Sequence, residues 1–313
     1  MFLEDISTLI GAKKFHKQGY TGKGITIAIL DTGVYPHKQL IKPNNKIVAF
    51  KDFVNYYNQP YDDNGHGTFI TNIIAGSGEA SKKHIGIAPE SKIVSVKVLD
   101  QFGEAPPQRI IQGIEWVIQN RDNYNIKIMN ISFNIILGKQ SPYKEKLKGL
   151  ISKAKKLGII VVTSVGNKNS QFGSKEESYP AFFPDVITVG ALEFIGDNKN
   201  DVKNIHDYIM APYSVIKRTH NGYLKPDILT VGTNIVSAEA DTSYRPGKKQ
   251  NDNDSFRVDS GTSLSCAVVS GVAALLIEKY SSKYSIKEIE NLLLHSTISI
   301  VNKGIVLKVL YIR

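Results

Sequence analysis

The apolar positions of this chain fall into two rhythms. Short runs dominated by Ile and Val stand at residues 25–30, 92–99, 127–132, 159–163 and 186–189. Runs of that length and composition read as strands buried on both faces. Longer stretches repeat their apolar residues at helical spacing. Over 108–121, Ile110, Ile111, Ile114, Trp116, Val117 and Ile118 supply one packed side. A lysine-studded helix is predicted over 143–157, stopped by Gly158. An apolar helix is predicted over 266–277, and a further helix over 285–296. Residues 66–75 read as a helix with His66 in its first turn. Residues 3–19 read as a surface helix or arm, followed by a turn at 20–24.

Strand and helix signals alternate over the first two thirds of the chain. That order predicts an α/β protein built on a parallel sheet. Residues 224–231 and 234–238 read as short extended pieces, and 305–312 as an edge strand. Three stretches read as lacking regular structure: the polar, tyrosine-rich 44–63, the segment 197–219, and the polar 244–254, expected to be a mobile loop. No repeat, low-complexity tract or linker divides the chain. The expectation is a single domain over 1–313, with 1–24 as a lead-in and 297–313 as a tail.

Composition narrows the class. The chain has 313 residues, 42% hydrophobic and 22% charged, which is ordinary for a globular protein. No stretch is apolar and uncharged enough to predict a membrane span. The first twelve residues include Glu4 and Asp5 and do not form a signal peptide. The expectation is a cytoplasmic protein, or a secreted one whose signal and propeptide precede this sequence. A single cysteine, Cys266, excludes an intramolecular disulfide. The formal charge is +10, but the lysines are spread along the chain. They form no compact basic-aromatic block, so nucleic acid is not an expected partner. The turn at 20–24 lacks phosphate-loop spacing, which removes nucleotide binding there.

Candidate chemistry begins at Gly261-Thr262-Ser263, ahead of the long apolar helix. Ser263 stands where unpaired backbone N–H groups favour negative charge. A serine there is ordinarily an N-cap. Asp31 ends the 25–30 strand, and ligand or catalytic residues gather at the carboxyl ends of parallel strands. His66 sits between Gly65 and Gly67, which let another backbone approach closely. Asn167 follows the 159–163 strand in Ser164-Val165-Gly166-Asn167; alone it reads as an Asx-turn residue.

Taken together and in the order Asp, His, Ser, the segments Ile29-Leu30-Asp31-Thr32-Gly33, Asn64-Gly65-His66-Gly67-Thr68 and Gly261-Thr262-Ser263 resemble the subtilisin-like serine proteases, or subtilases. The resemblance covers roughly residues 3–294. It implies a three-layer α/β fold, with a mainly parallel sheet flanked by helices. It implies a serine endopeptidase with Ser263 as nucleophile, His66 as general base and then acid, Asp31 as orienter and Asn167 as oxyanion donor. It also implies a polypeptide substrate held as an extended strand between Ser132-Phe133-Asn134 and Gly103-Glu104-Ala105. No cofactor is implied for catalysis.

The chain departs from the family pattern at several points. Many subtilases carry glycine where Asn134 stands; a side chain there narrows the primary pocket or pairs with a polar substrate residue. Glu104 replaces a small residue and either favours a basic residue upstream of the cut or is an exposed loop carboxylate. Leu264-Ser265-Cys266-Ala267 replaces the common Met-Ala-x-Pro, and Cys266 reads as a small core residue. Many members hold a structural calcium through an Asp shortly after the catalytic one. Gln39 stands at that position and the loop 77–84 carries lysines, so the strong site is expected to be lost, although another could exist. Three readings remain open: a general or intracellular endopeptidase, a dedicated maturation protease resembling lantibiotic leader peptidases, and a non-catalytic binding protein. An α/β-hydrolase lipase or esterase is disfavoured, because Ser263 lacks the G-x-S-x-G elbow.

Overall fold

The computed structural model describes residues 1–138, 140–168, 177–196, 204–248, 255–302 and 305–312. Ten strands form the main sheet: β1 (Thr26–Asp31), β2 (Ile47–Asp52), β3 (Lys92–Lys97), β4 (Ile126–Ile131), β5 (Ile160–Ser164), β6 (Ile187–Phe194), β7 (Tyr208–Met210), β8 (Ile228–Val231), β9 (Thr297–Asn302) and β10 (Ile305–Leu310). Their order is β9-β10-β8-β6-β5-β4-β1-β3-β2, with β7 added beside β6. From β10 to β2 every neighbouring pair is parallel. β9 and β7 are antiparallel additions.

The helices are α1 (Leu3–Leu9), α2 (Ala12–Lys17), α3 (His66–Ala75), α4 (Pro107–Gln119), α5 (Pro142–Lys156), α6 (Thr262–Tyr280) and α7 (Ile286–His295), with a further helical turn at Lys38–Ile41. Side chains alternate across each strand and so fill two separate cores. Ile27, Ile29, Ile128, Ile160 and Val162 face α3 and α6. Ala28, Leu30, Met129, Ile131 and Val161 face α4 and α5. This is the three-layer, mainly parallel α/β architecture. α6 is apolar all round because it runs through the larger core. Contrary to the expectation that no stretch is apolar enough for a membrane span, it meets that test by length and composition, yet 83% of its most apolar window is buried inside the protein. Among the described residues no other helix meets that length and apolarity.

Several expectations are corrected. The stretch 44–63 contains β2. An edge strand is half solvated, and β2 mixes buried Ile47 and Asp52 with exposed Val48, so no clean alternation marks it. Residues 3–19 are two helices broken at Gly11, whose φ of +87° suits glycine. They are not a surface arm, since Leu3, Ile6, Leu9, Ile10 and Phe15 enter the larger core. Within 197–219, residues 204–219 hold a short helical turn, β7 and one strand of a small ribbon; 197–203 lie outside the described residues. β10 is an inner strand, and β9 takes the edge. Of the polar stretch 244–254, residues 249–254 lie outside the described residues.

Candidate active site

β1, β4 and β5 end on the same side of the sheet, beside the first turns of α3 and α6. β1 delivers Asp31, which is 1% exposed. α3 begins with His66 itself. The two elements meet because Gly67 carries no side chain. A Cβ there would lie 2.1 Å from Gly33 O and 3.2 Å from Asp31 Cβ. His66 Nδ1 is 2.8 Å from Asp31 Oδ1, which also accepts from Thr32 N at 2.7 Å. Asp31 Oδ2 is buried and has no hydrogen-bond partner among the described residues.

Burial alone would lower the His66 pKa. The Asp31 charge and hydrogen bond, with the charges of Asp62 and Asp259, outweigh it and hold the imidazole above its ordinary value. The side chain remains 27% exposed on its far side.

Ser263 is the second residue of α6. Asn167 is fixed against the head of that helix, because its Oδ1 accepts from Thr262 N and Thr262 Oγ1, each at 3.1 Å. The amide Nδ2 is thereby set on the Ser263 side. A Cβ built on Gly261 would lie 3.2 Å from Ser263 Oγ and 3.5 Å from Asn167 Nδ2, so one point neighbours both groups. Ser132 Oγ donates to Ser263 O at 3.3 Å and steadies the same turn.

A cleft of about 630 Å³ collects His66, Ser263 and Asn167 with Ser132, Phe133, Asn134, Gly103, Glu104 and Ala105. Asp31 lies behind His66, outside the cleft lining. Among the described residues no hydrogen bond joins the His66 ring to Ser263 Oγ in this conformation. Catalytic contacts of that kind are often long before substrate binds. Cys266 is fully buried, its thiol is 3.2 Å from Asn130 Oδ1, and burial pushes its pKa up, which leaves it inert.

Sequence reasoning missed the residues that hold the site. Buried Asp62 accepts from Thr32 Oγ1, Gly65 N and Thr68 N, each at 2.8 Å. Lys97, fully buried, donates to Asp63 Oδ1 and Thr32 O, each at 2.6 Å. Asp62 lies four residues before His66, ahead of the N-cap Gly65, within reach of the helix's unpaired first N–H groups. That was the available signal.

The position where a family member would place a calcium carboxylate is occupied differently. Gln39 is buried, its Oε1 accepts from Ser77 Oγ at 3.3 Å, and its Nε2 donates to Ser81 O at 3.5 Å. An amide N–H thus points at a loop carbonyl where a cation would need an oxygen. Among the described residues no group of three or more His, Cys, Asp or Glu side chains could hold a metal. Gln39 brings no carboxylate to this position, where a strong calcium site would use one.

The carboxylates around His66 set a measurable outcome. An NMR titration of the His66 ring should give a midpoint above about 6.5, the ordinary histidine value, and Asp31→Asn should lower it. An unchanged midpoint in the variant would remove Asp31 as the cause. Because the folded-state value is raised, protonated His66 contributes stability fully below the unfolded value. That contribution is lost as the pH rises through the folded value.

The subtilase family profile matches residues 22–308. The chain is 36% identical over 269 residues to serine protease AprX of Bacillus subtilis (strain 168), a match covering 84% of this chain and 59% of that protein. It is 29% identical over 272 residues to a subtilisin of Bacillus pumilus, covering 87% of this chain and 83% of that one. The solved structure of a cold adapted subtilisin-like serine proteinase superposes with a TM-score of 0.68 at 25% identity, over 93% of this chain and 90% of that chain. The chain spans less than two thirds of AprX. With a profile match across most of its length and the same fold in a solved relative, this chain belongs to the subtilase family of serine proteases.

Proposed function

We propose that this chain is an endopeptidase that hydrolyses peptide bonds through an acyl-enzyme. The observation that carries the reading is the buried Asp31–His66 bond at the wall of a cleft that also holds Ser263 and Asn167. Ser263 Oγ attacks the substrate carbonyl carbon as its proton passes to the exposed nitrogen of His66. The oxyanion takes hydrogen bonds from Asn167 Nδ2 and from the backbone N–H of Ser263. The C–N bond then breaks, and His66 returns the proton to the leaving amine. Water repeats the sequence on the acyl ester and frees Ser263. Asp31 holds the imidazole in the required tautomer and balances its positive charge. The substrate lies extended between Ser132–Asn134 and Gly103–Ala105, paired through its backbone.

A fluorophosphonate probe should label the wild type and leave Ser263→Ala unlabelled. Asn167→Ala should lower kcat about 10²–10³-fold with a small effect on KM, the size found for this donor in subtilisin. Labelling that survives in Ser263→Ala would sink the assignment. No labelling of the folded wild type would favour a binding protein on a subtilase fold.

A second reading, a dedicated maturation protease, is favoured by Glu104. Apart from His66 it is the only charged side chain among the described residues lining the cleft. It is exposed, and no ion pair holds its carboxylate among the described residues. In a chain of formal charge +10 this local negative field favours a basic residue upstream of the cut. Cleavage profiling on a peptide pool should show that preference and lose it in Glu104→Gln; a profile without Lys or Arg enrichment upstream would discard it. Whichever substrate is natural, the Gln39 tie does the work of a cation at its loop. Excess EDTA should leave the Tm unchanged, whereas a fall of several degrees reversed by added calcium would show a bound metal and overturn this role for Gln39.

A further inference from the structure

Asn134 lies across the cleft rather than along it. Its Nδ2 donates to Ser164 O at 2.7 Å and lies 3.4 Å from Ser164 Oγ. Its Oδ1 accepts from Ala181 N at 3.2 Å. Ser132–Asn134 follow β4, and Ser164–Gly166 run on from the last residue of its parallel neighbour β5, beyond the final pair between these two strands, Ile131 with Thr163. Both segments line the cleft next to Asn167. The Asn134 amide therefore joins the two walls of one slot. A Cβ built on Gly166 would lie 3.9 Å from Asn134 Nδ2 and 3.9 Å from Ser178 Oγ, so a single methyl group on that wall would already touch the bridge. Ser178 and Phe182 line the slot as well.

The acyl carbonyl of a bound peptide has to reach Asn167 Nδ2 and Ser263 Oγ. The side chain on that same residue then enters the slot between Ser132–Asn134 and Ser164–Gly166. It meets a crossbar whose amide is committed at both ends. A large side chain could enter only by displacing that amide, which would leave Ser164 O and Ala181 N without the partner they have. A small side chain leaves the bridge intact.

We infer that Asn134 is a specificity-determining crossbar that limits this protein to cutting after small residues such as Ala, Gly or Ser. The inference rests on the peptidase reading, and its test separates the two. Quenched peptides identical except for Ala, Leu or Phe on the acyl side of one bond would be compared by kcat/KM. The wild type should favour Ala over Phe by at least about 10-fold, in the range that single pocket contacts discriminate. Asn134→Gly should raise the Phe-to-Ala ratio by about 10-fold or more, and Asn134→Ala should shift it in the same direction by less. Fluorophosphonate labelling of each variant reports separately that the nucleophile is intact. A wild type that cuts after Phe as readily as after Ala would overturn the inference. So would variants that slow all three peptides by one common factor, the signature of a merely structural tie. If neither variant folds, the wild-type ratio alone decides. A wild type that labels with no probe and cuts no peptide refutes the peptidase reading, and the crossbar inference falls with it.

Discussion

The site depends on one buried carboxylate, Asp62, which joins the end of β1 to the beginning of α3. Its Oδ1 accepts from Thr32 Oγ1, Asn64 N and Gly65 N, and its Oδ2 accepts from Thr68 N and Thr68 Oγ1. Thr32 Oγ1 in turn accepts from Gly67 N at 2.9 Å. Thr32 follows Asp31, and Gly67 follows His66, so the Asp31 carboxylate and the imidazole are held by a single network. Hydrogen bonds to an ionised acceptor are the strong ones, and burial raises the cost of breaking them. The charge is not left alone: Lys97 sits in the same core between Asp63 and the Thr32 carbonyl. Near the ring the charges of Asp31, Asp62 and Asp259 prevail over burial and hold the His66 pKa up.

A second joint does the same for the other half of the site. Asn167, just past β5, is bonded to Thr262 at the head of α6, and Gly166 N donates to Thr262 Oγ1 at 3.2 Å. Each joint pins a strand end to a helix start, and α3 and α6 lie in the same layer. The chain runs outward from β1 to β2, returns through β3 and crosses to β4 on the other side of β1. The crevice outside strand ends at such a reversal is where open α/β sheets bind ligands. The cleft between Ser132–Asn134 and Gly103–Ala105 opens there.

Much of this was legible in the order of residues because burial leaves a pattern. β1, β4 and β5 are enclosed on both faces and read as apolar runs; α6 reads as an apolar helix because core surrounds it. Asp31, His66, Asn167 and Ser263 stood out because short polar segments interrupt or follow those runs. The holding residues were harder to see. A carboxylate such as Asp62, within Asp62-Asp63-Asn64, looks like solvated loop until the helix it caps is in place. Lys97 lies inside an apolar strand run and is wholly buried, but nothing local shows that its ammonium is held by Asp63 and the Thr32 carbonyl. β2 hid among tyrosines because edge strands mix exposed and buried positions. The two N-terminal helices were too short for their spacing to reveal which core they enter. The amide geometry of Asn134 and Gln39 depends on partners thirty or more residues away, and no local pattern encodes it.

We propose that the site becomes active when His66, backed by the Asp31 carboxylate, loses its proton. The measurement that addresses it most directly is the pH profile of kcat/KM on one peptide, set beside the His66 titration on the same protein. One ionisation is expected on the acid limb, with a midpoint matching the His66 ring and lying above the ordinary histidine value. An acid limb below that value, or one that does not follow the His66 ring, would contradict it.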